Sequence, residues 1–251
     1  MRLDNKVIFI TGGGTGIGAA TTRYMLNLGA KVAIAGIPAA PLESLADELG
    51  PNCLALPTDV TDEGQVAAAI AATVEAFGDV DAVVANAGIQ RHKTDIDITT
   101  MDEVEWERTQ DVNLRGVFRT VKHGLAQMIR QGHGGSVVIV SSITAISGGS
   151  ANVSYMTAKS GLLGLNRHIA VHYAKHGIRS NAVCPGALEQ TPDWAEHPNQ
   201  DGRRRAMERD IPLGRLGKSE DIAPFIAFLT SDDASYSTGA QYVIDGGITI
   251  R

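Results

Sequence analysis

The sequence predicts a single α/β domain, residues 1–251, built on a parallel sheet of about seven strands with helices on both faces. Three observations predict it. Short β-branched runs alternate with longer stretches of helical periodicity along the whole chain. The runs are almost continuously apolar, as strands covered on both faces must be. The first run opens through a glycine-rich turn into the first helix. A chain of 251 residues is long enough to bury one such core without disulfides or structural metal.

Lys6 to Thr11 (KVIFIT) reads as a buried strand and Gly16 to Leu28 as the helix after it. Lys31 to Ala35 (KVAIA) is a second strand, and Pro41 to Leu49 is helical in pattern. Cys53 to Leu56 is a third strand, followed by a helix from Glu63 to Phe77. Asp81 to Ala85 (DAVVA) is a fourth strand, and the next helix runs from Met101 to Gln131 in one piece or two. Val137 to Ser141 is a fifth strand, Val153 to His176 a long helix, and Ile178 to Val183 a sixth strand. Pro185 to Gly214 shows no clear periodicity. A helix from Glu220 to Leu229 and a strand from Gln241 to Ile244 follow. Right-handed crossovers turn this order into a doubly wound, Rossmann-like sheet. Ligands of such sheets bind beyond the carboxyl ends of the strands, so the residues that matter follow Ile10, Ala35, Leu56, Ala85, Val140 and Val183.

Composition narrows the class. Hydrophobic residues make up 43% and charged residues 20%, as in ordinary globular proteins. A net charge of −6 argues against a general nucleic-acid binder and against a polybasic membrane anchor. The sequence shows no secretory apolar segment before the first strand and no run long enough to span a membrane, so the cytoplasm is the expected compartment. Cys53 and Cys184 have no C-x-x-C spacing and read as reduced, partly buried thiols.

After the first strand comes Thr11-Gly12-Gly13-Gly14-Thr15-Gly16-Ile17-Gly18. Glycines tolerate positive φ and let the backbone approach a pyrophosphate closely. The helix N-terminus that follows offers free N–H groups and a positive dipole end. Between a first strand and a first helix, this points to a dinucleotide site.

The spacing Thr-Gly-x-x-x-Gly-x-Gly resembles that of the short-chain dehydrogenase/reductase family, and motifs along the whole chain agree in order. Asp59-Val60 follows the third strand, where the family has an Asp near the adenine. Asn86-Ala87-Gly88 follows the fourth, as the family's Asn-Ala-Gly motif beside the cofactor does. Asp111-Val112-Asn113-Leu114 matches the segment bearing the family's catalytic Asn. Ser141-Ser142 ends the fifth strand, Tyr155-Met156-Thr157-Ala158-Lys159 matches Tyr-x-x-x-Lys, and Pro185-Gly186 follows the sixth. The resemblance implies cofactor contacts at Gly12, Gly14, Thr15, Gly16, Ile17, Gly36, Asp59, Val60, Asn86, Ala87, Gly88, Tyr155, Lys159, Pro185 and Gly186. It further implies a Thr hydrogen-bonded to the nicotinamide carboxamide. Thr191 is the candidate, one place later after Pro-Gly than the family pattern, where this chain has Gln190.

Tyr155 and Lys159 lie four apart and share one helix face. A free Tyr has a pKa near ~10 and is a poor base at neutral pH; a nearby ammonium favours the phenolate. Tyr155 is then able to give a proton to a carbonyl oxygen or take one from an alcohol. Ser142, 13 residues before Tyr155, has the family's Ser-to-Tyr spacing and would hold the substrate oxygen; Ser141 is the alternative. By the resemblance Asn113 holds a water that links Lys159 to solvent. The expected catalytic set is Asn113, Ser142, Tyr155 and Lys159, with Ser142, Tyr155 and Trp194 touching substrate.

An acidic residue at the end of the second strand selects NAD, and a nearby Arg selects NADP. Here Gly36 stands where the family's NAD enzymes have Asp, and Ile37 and Thr15 stand where NADP enzymes have basic residues. A dianionic phosphate without a cation is poorly compensated, so NAD is expected over NADP. Residues 186–214 read as a substrate lid. Its Arg203, Arg204, Arg205 and Arg209 read as a solvated helix face, with recognition of an anionic substrate as the sharper alternative. His197 in the lid, and Gln90, Arg91 and His92 after Asn-Ala-Gly, are further candidates. His168, His172 and His176 recur every four residues but have no carboxylate or Cys in register, so no metal is expected.

The family resemblance implies a homotetramer joined through the helices at 101–131 and 153–176. The function expected is an NAD(P)-dependent dehydrogenase/reductase acting on a small polyol, sugar or hydroxy acid. A 3-oxoacyl-(acyl-carrier-protein) reductase and a non-catalytic dinucleotide-binding regulator are the rivals.

Overall fold

A computed structural model describes residues 1–91, 95, 97–148, 152–189 and 200–251, with the backbone alone at 200, 201 and 203. The chain runs β1 (Val7–Thr11), α1 (Gly16–Asn27), β2 (Lys31–Gly36), α2 (Ala39–Leu49), β3 (Cys53–Pro57), α3 (Glu63–Phe77) and β4 (Ala82–Ala85). It continues with α4 (Glu103–Gln110), α5 (Val117–Gln131), β5 (Gly135–Val140), α6 (Val153–His172) and β6 (Ile178–Pro185). It closes with α7 (Gln200–Asp210), α8 (Ser219–Thr230) and β7 (Gln241–Ile244).

Seven strands form one sheet in the order β3-β2-β1-β4-β5-β6-β7. Every pairing is parallel. The doubly wound, Rossmann-like architecture is therefore as the sequence predicts. β1 and β4 are neighbours, paired Thr11 to Ala85. The chain reverses its direction of travel across the sheet between them, which opens a crevice there.

The period of two along the strands sorts the core into two layers. Ile8, Ile10, Ile34, Val84 and Val138 face α1, α2 and α8 through Met25, Leu42, Ile222 and Ile226. Phe9, Ala33, Val83, Val137 and Ile139 face α3, α5 and α6 through Ile70, Val121, Leu125, Leu162 and Ile169. All these strand residues are fully buried. Each large one contributes about 1.5–3 kcal/mol of burial, which explains why the strands read as unbroken apolar runs.

The helix expected over Met101 to Gln131 in one piece or two comes in two, α4 and α5, joined by a π-helical turn, Asp111–Gly116. Two other elements differ from the expectation. The helix expected to reach His176 ends at His172; a 3₁₀ turn, Ala174–His176, and left-handed Gly177 (φ 72°) finish it. Within the stretch from Pro185 to Gly214, read as aperiodic, α7 forms. Its sequence QDGRRRAMERD has only Ala206 and Met207 as apolar residues, so no hydrophobic stripe advertises the helix. Residues 190–199 lie outside the described residues.

Candidate active site

The glycine-rich turn is shaped by close packing. Gly12 has φ +66°, and a Cβ there would lie 2.9 Å from Ala87 Cα and from Asn86 Nδ2. A Cβ on Gly18 would lie 2.1 Å from the Gly12 carbonyl oxygen. The ends of β1 and β4 are laced together across this contact. Thr11 Oγ1 accepts from Asn86 N (3.1 Å) and Ala87 N (3.3 Å), and Asn86 Nδ2 donates to the Thr11 and Gly12 carbonyls at 3.1 Å. The N-cap of α1, Thr15, makes no side-chain cap hydrogen bond, and the first turn holds no acidic residue. The helix end therefore presents N–H groups and positive dipole to whatever enters, a cradle suited to a pyrophosphate.

A cavity of about 1220 Å³ runs from this turn along the carboxyl edge of the sheet. Gly12, Thr15, Gly16, Ile17, Gly36, Asp59, Val60, Asn86, Ala87, Gly88, Ser142, Tyr155, Lys159, Pro185 and Gly186 all line it. Gly14 does not; the space where its Cβ would be is taken by Leu42, 3.1 Å away. At the β3 end, Asp59 Oδ1 accepts from Thr61 N (2.9 Å) and Thr61 Oγ1 (2.8 Å). Gly36 and Ile37 line the wall at the end of β2, and the cavity's cations, Arg108, Lys159 and Arg251, come from other elements.

The end of β5 and the start of α6 bring Ser141, Ser142, Tyr155 and Lys159 to the same cavity. Lys159 is 3% exposed, and its Nζ donates to the Val140 carbonyl at 2.9 Å and lies 5.5 Å from the Tyr155 ring centroid. Burial lowers its pKa from 10.5 to about 8. Ser141 Oγ donates to the Lys159 carbonyl at 2.9 Å, so this hydroxyl is spent on joining β5 to α6. Ser142 Oγ instead accepts from Thr144 N at 3.2 Å, which leaves its own proton to donate into the cavity.

Asn113 sits in the π turn, fully buried. It does not line the cavity. Its Oδ1 accepts from Ile89 N and its Nδ2 donates to the Ile89 carbonyl, both at 2.8 Å. A Cβ on Gly88 would lie 2.7 Å from Asn113 Oδ1 and 3.5 Å from Lys159 Nζ. Asn113 Oδ1 and Lys159 Nζ thus both lie close to Gly88.

Thr191, Trp194, Gln190, His197 and His92 lie outside the described residues. Gln90 lines the cavity, and Arg91 pairs with Glu105 at 3.1 Å. Arg204 is engaged by Glu189 (2.6 Å) and Glu208 (2.8 Å). Arg204, Arg205 and Arg209 are not among the cavity-lining residues. His168 and His172 lie with ring centroids 4.4 Å apart. Cys53 and Cys184 are free and buried, as expected; burial raises both thiol pKa values, that of Cys53 to about 11. Among the described residues no helix is long and apolar enough to cross a membrane.

Sequence reasoning missed Met207 on α7, Arg108 on α4, and Ile248, Thr249 and Arg251 after β7. The strand-end rule finds the last group once it is applied to β7 as well as to the six strands before it. Nothing local marks the two helical residues.

A doubly wound parallel sheet with one large cavity across its switch point defines the Rossmann-like class of α/β proteins. A family model described as Enoyl-(Acyl carrier protein) reductase matches residues 12–249. L-rhamnose 1-dehydrogenase (NAD(P)(+)) of Sphingomonas sp. (strain SKA58) is 40% identical over 253 residues, covering 99% of this chain and 98% of that protein. The 3-oxoacyl-(acyl-carrier-protein) reductase of Thermotoga maritima is also 40% identical, over 257 residues and 100% of both chains. The crystal structure of levodione reductase superposes with a TM-score of 0.93 at 35% identity, covering 99% of both chains. A short-chain type dehydrogenase/reductase from Mycobacterium marinum superposes with a TM-score of 0.89 at 32% identity, covering 100% of this chain and 97% of that one. The chain belongs to the short-chain dehydrogenase/reductase family.

Proposed function

We infer that the protein is an NAD(P)-dependent oxidoreductase that moves a hydride between a nicotinamide dinucleotide and a carbonyl/secondary-alcohol pair. One observation carries this reading: Tyr155, Lys159 and Ser142 line the same cavity as the glycine-rich turn. When bound, the nicotinamide takes or supplies the hydride at its C4. The chain does the rest. Gly12, Thr15, Gly16 and Ile17 hold the pyrophosphate, and Gly36, Asp59 and Val60 the adenosine. Asn86, Ala87, Gly88, Pro185, Gly186 and Thr191 hold the nicotinamide half. Ser142 donates to the substrate oxygen, and Tyr155 exchanges the proton with it. Lys159 favours the phenolate and holds the nicotinamide ribose. Asn113 completes the relay from Lys159 towards solvent. Residues 186–214 form the substrate lid, and Trp194 touches substrate.

NAD is the preferred cofactor. Gly36, Ile37 and Thr15 bring no cation to the 2′ position, and a bare ribose hydroxyl tolerates that better than a phosphate does. The substrate is a small polyol, sugar or hydroxy acid. Among the relatives, the name of the Sphingomonas protein points to a sugar. The ion pairs of Arg204 count against an anionic substrate bound through the lid. The name of the Thermotoga relative favours a second reading, 3-oxoacyl-thioester reduction. The active unit is a homotetramer in the cytoplasm.

The deciding experiment follows the reduced-nicotinamide absorbance with both cofactors over L-rhamnose, other sugars, polyols, hydroxy acids and acetoacetyl thioesters. NAD-linked oxidation of a sugar or polyol supports the first reading. NADPH-linked reduction of the thioester selects the second. Cofactor binding without turnover over the whole set would mean a regulator rather than an enzyme.

A further inference from the structure

The first turn of α6 carries Tyr155, and the helix supplies no cap of its own. Its N-cap residue, Asn152, makes no side-chain cap hydrogen bond. The open N–H groups are met instead from a distant part of the chain. Asp95, 1% exposed, accepts from Ser154 N at 2.8 Å through Oδ1 and from Tyr155 N at 3.0 Å through Oδ2. Ser154 Oγ donates to the same Oδ2 at 2.6 Å. A carboxylate at this end of a helix is also favoured by the helix dipole. The Asp95 carbonyl in turn accepts from Asn152 Nδ2 at 2.9 Å, and Gln90 Nε2 donates to Asn152 Oδ1 at 2.8 Å.

Lys159 is anchored independently. Its Nζ is held by the Val140 carbonyl and its own carbonyl by Ser141, both on the β5 side. The main chain at Tyr155 and the Lys159 ammonium therefore have separate supports.

We propose that Asp95 is a positioning residue for Tyr155, clamping the first turn of the catalytic helix so that the phenol stands correctly against Lys159 and Ser142. The proposal rests on the reading of Tyr155 as the proton-transfer group. It also ties Gln90, on the cavity wall, to the same clamp through Asn152.

Asp95→Asn keeps the size of the side chain but turns one acceptor into a donor that faces an N–H. A readout that needs no substrate is the phenolate absorbance of Tyr155, taken as the difference between each protein and its Tyr155→Phe counterpart. In Asp95→Asn this titration is expected to shift from the parent's, because the phenol no longer stands in the same relation to Lys159. With the best substrate of the screen, kcat is expected to fall on the order of tenfold to a hundredfold while the cofactor Kd holds within about twofold. Asp62→Ala, which removes the N-cap of α3, is the stability control: its Tm falls, but neither the titration nor kcat moves. Ser154→Ala removes one donor to the carboxylate, serves if Asp95→Asn does not fold, and is expected to shift both readouts in the same direction by a smaller factor. An unchanged titration and kcat in the folded variant, beside an inactive Tyr155→Phe, would overturn the role of Asp95 alone. A Tyr155→Phe variant that still turns over would overturn the site reading and this proposal with it.

Discussion

Lys159 buries an ammonium, 3% exposed, and the protein loses stability for it. Burial lowers its pKa from 10.5 to about 8. Between those two pH values the unfolded chain holds a proton at this position that the folded protein has released. Stability therefore rises with pH across that window, and the penalty is fully present below about pH 8. Lys159→Met is expected to abolish turnover yet stabilise the fold near neutral pH by up to about 3 kcal/mol. Urea unfolding at neutral pH and at about pH 10 checks this, because the gap between variant and parent should narrow on the alkaline side. Tyr155→Phe keeps the ring and removes only the exchangeable proton. It should fold and bind cofactor normally while turnover drops on the order of a hundredfold or more. Steady-state rates beside cofactor titration separate the two effects. Retention of more than about a tenth of the rate would contradict the acid/base assignment. Both residues were legible in the sequence because a spacing of four on a helix needs no tertiary knowledge. Asp95 was not legible, since its partners lie 59 and 60 positions away.

Between β1 and α1, local sequence and local structure coincide. The turn depends on the absence of side chains, most sharply at Gly18, where a Cβ would fall 2.1 Å from the Gly12 carbonyl oxygen. No rotamer relieves a clash between a Cβ and main chain. Gly18→Ala is thus expected to displace the start of α1 and weaken cofactor binding at least about tenfold, measured by quenching of intrinsic fluorescence on NAD addition. A Kd equal to the parent's would show that the turn does not need this contact. The π turn at Asp111–Gly116 is the opposite case. The sequence there reads as ordinary helix, because the apolar positions of α5 keep helical spacing through Val117, Val121, Leu125 and Met128. The irregularity is explained by its tertiary partner. It turns Asn113 towards the main chain of Ile89, whose N–H and C=O both bond to it. Helix α7 was hidden for another reason: it buries too little of itself to leave a stripe in the sequence.

For the whole molecule, the sheet order puts the ends of β1, β2, β4, β5 and β6 on one edge, so motifs spread from Gly12 to Gly186 converge on one cavity. The outer faces of the helices proposed as the subunit contact still carry apolar side chains. Val104 and Val171 are each 72% exposed, and Phe118 is 48% exposed. Single exposed apolar residues mean little, but several on adjoining helices are what a subunit interface would cover. Light scattering should give a mass about four times 26.4 kDa, and Phe118→Glu combined with Val171→Glu should lower it without changing the circular dichroism spectrum. A parent protein of monomer mass would refute the tetramer.

The amino-acid sequence by itself determined the alternation of strand and helix, the parallel sheet, the glycine-rich turn and the Tyr155–Lys159 pair. Each of these is written in residues close together in the chain, as an apolar period, a run of glycines or a helical spacing. Both adjacent serines line the cavity, and tertiary structure decided how each hydroxyl is bonded: Ser141 Oγ donates to the Lys159 carbonyl, whereas Ser142 Oγ accepts from Thr144 N. It also decided that Asn113 grips Ile89, that Asp95 caps the first turn of α6, and that residues after β7 line the cavity. These contacts join segments far apart in the chain. Their geometry exists only once the sheet has brought the segments together, so no local pattern encodes them.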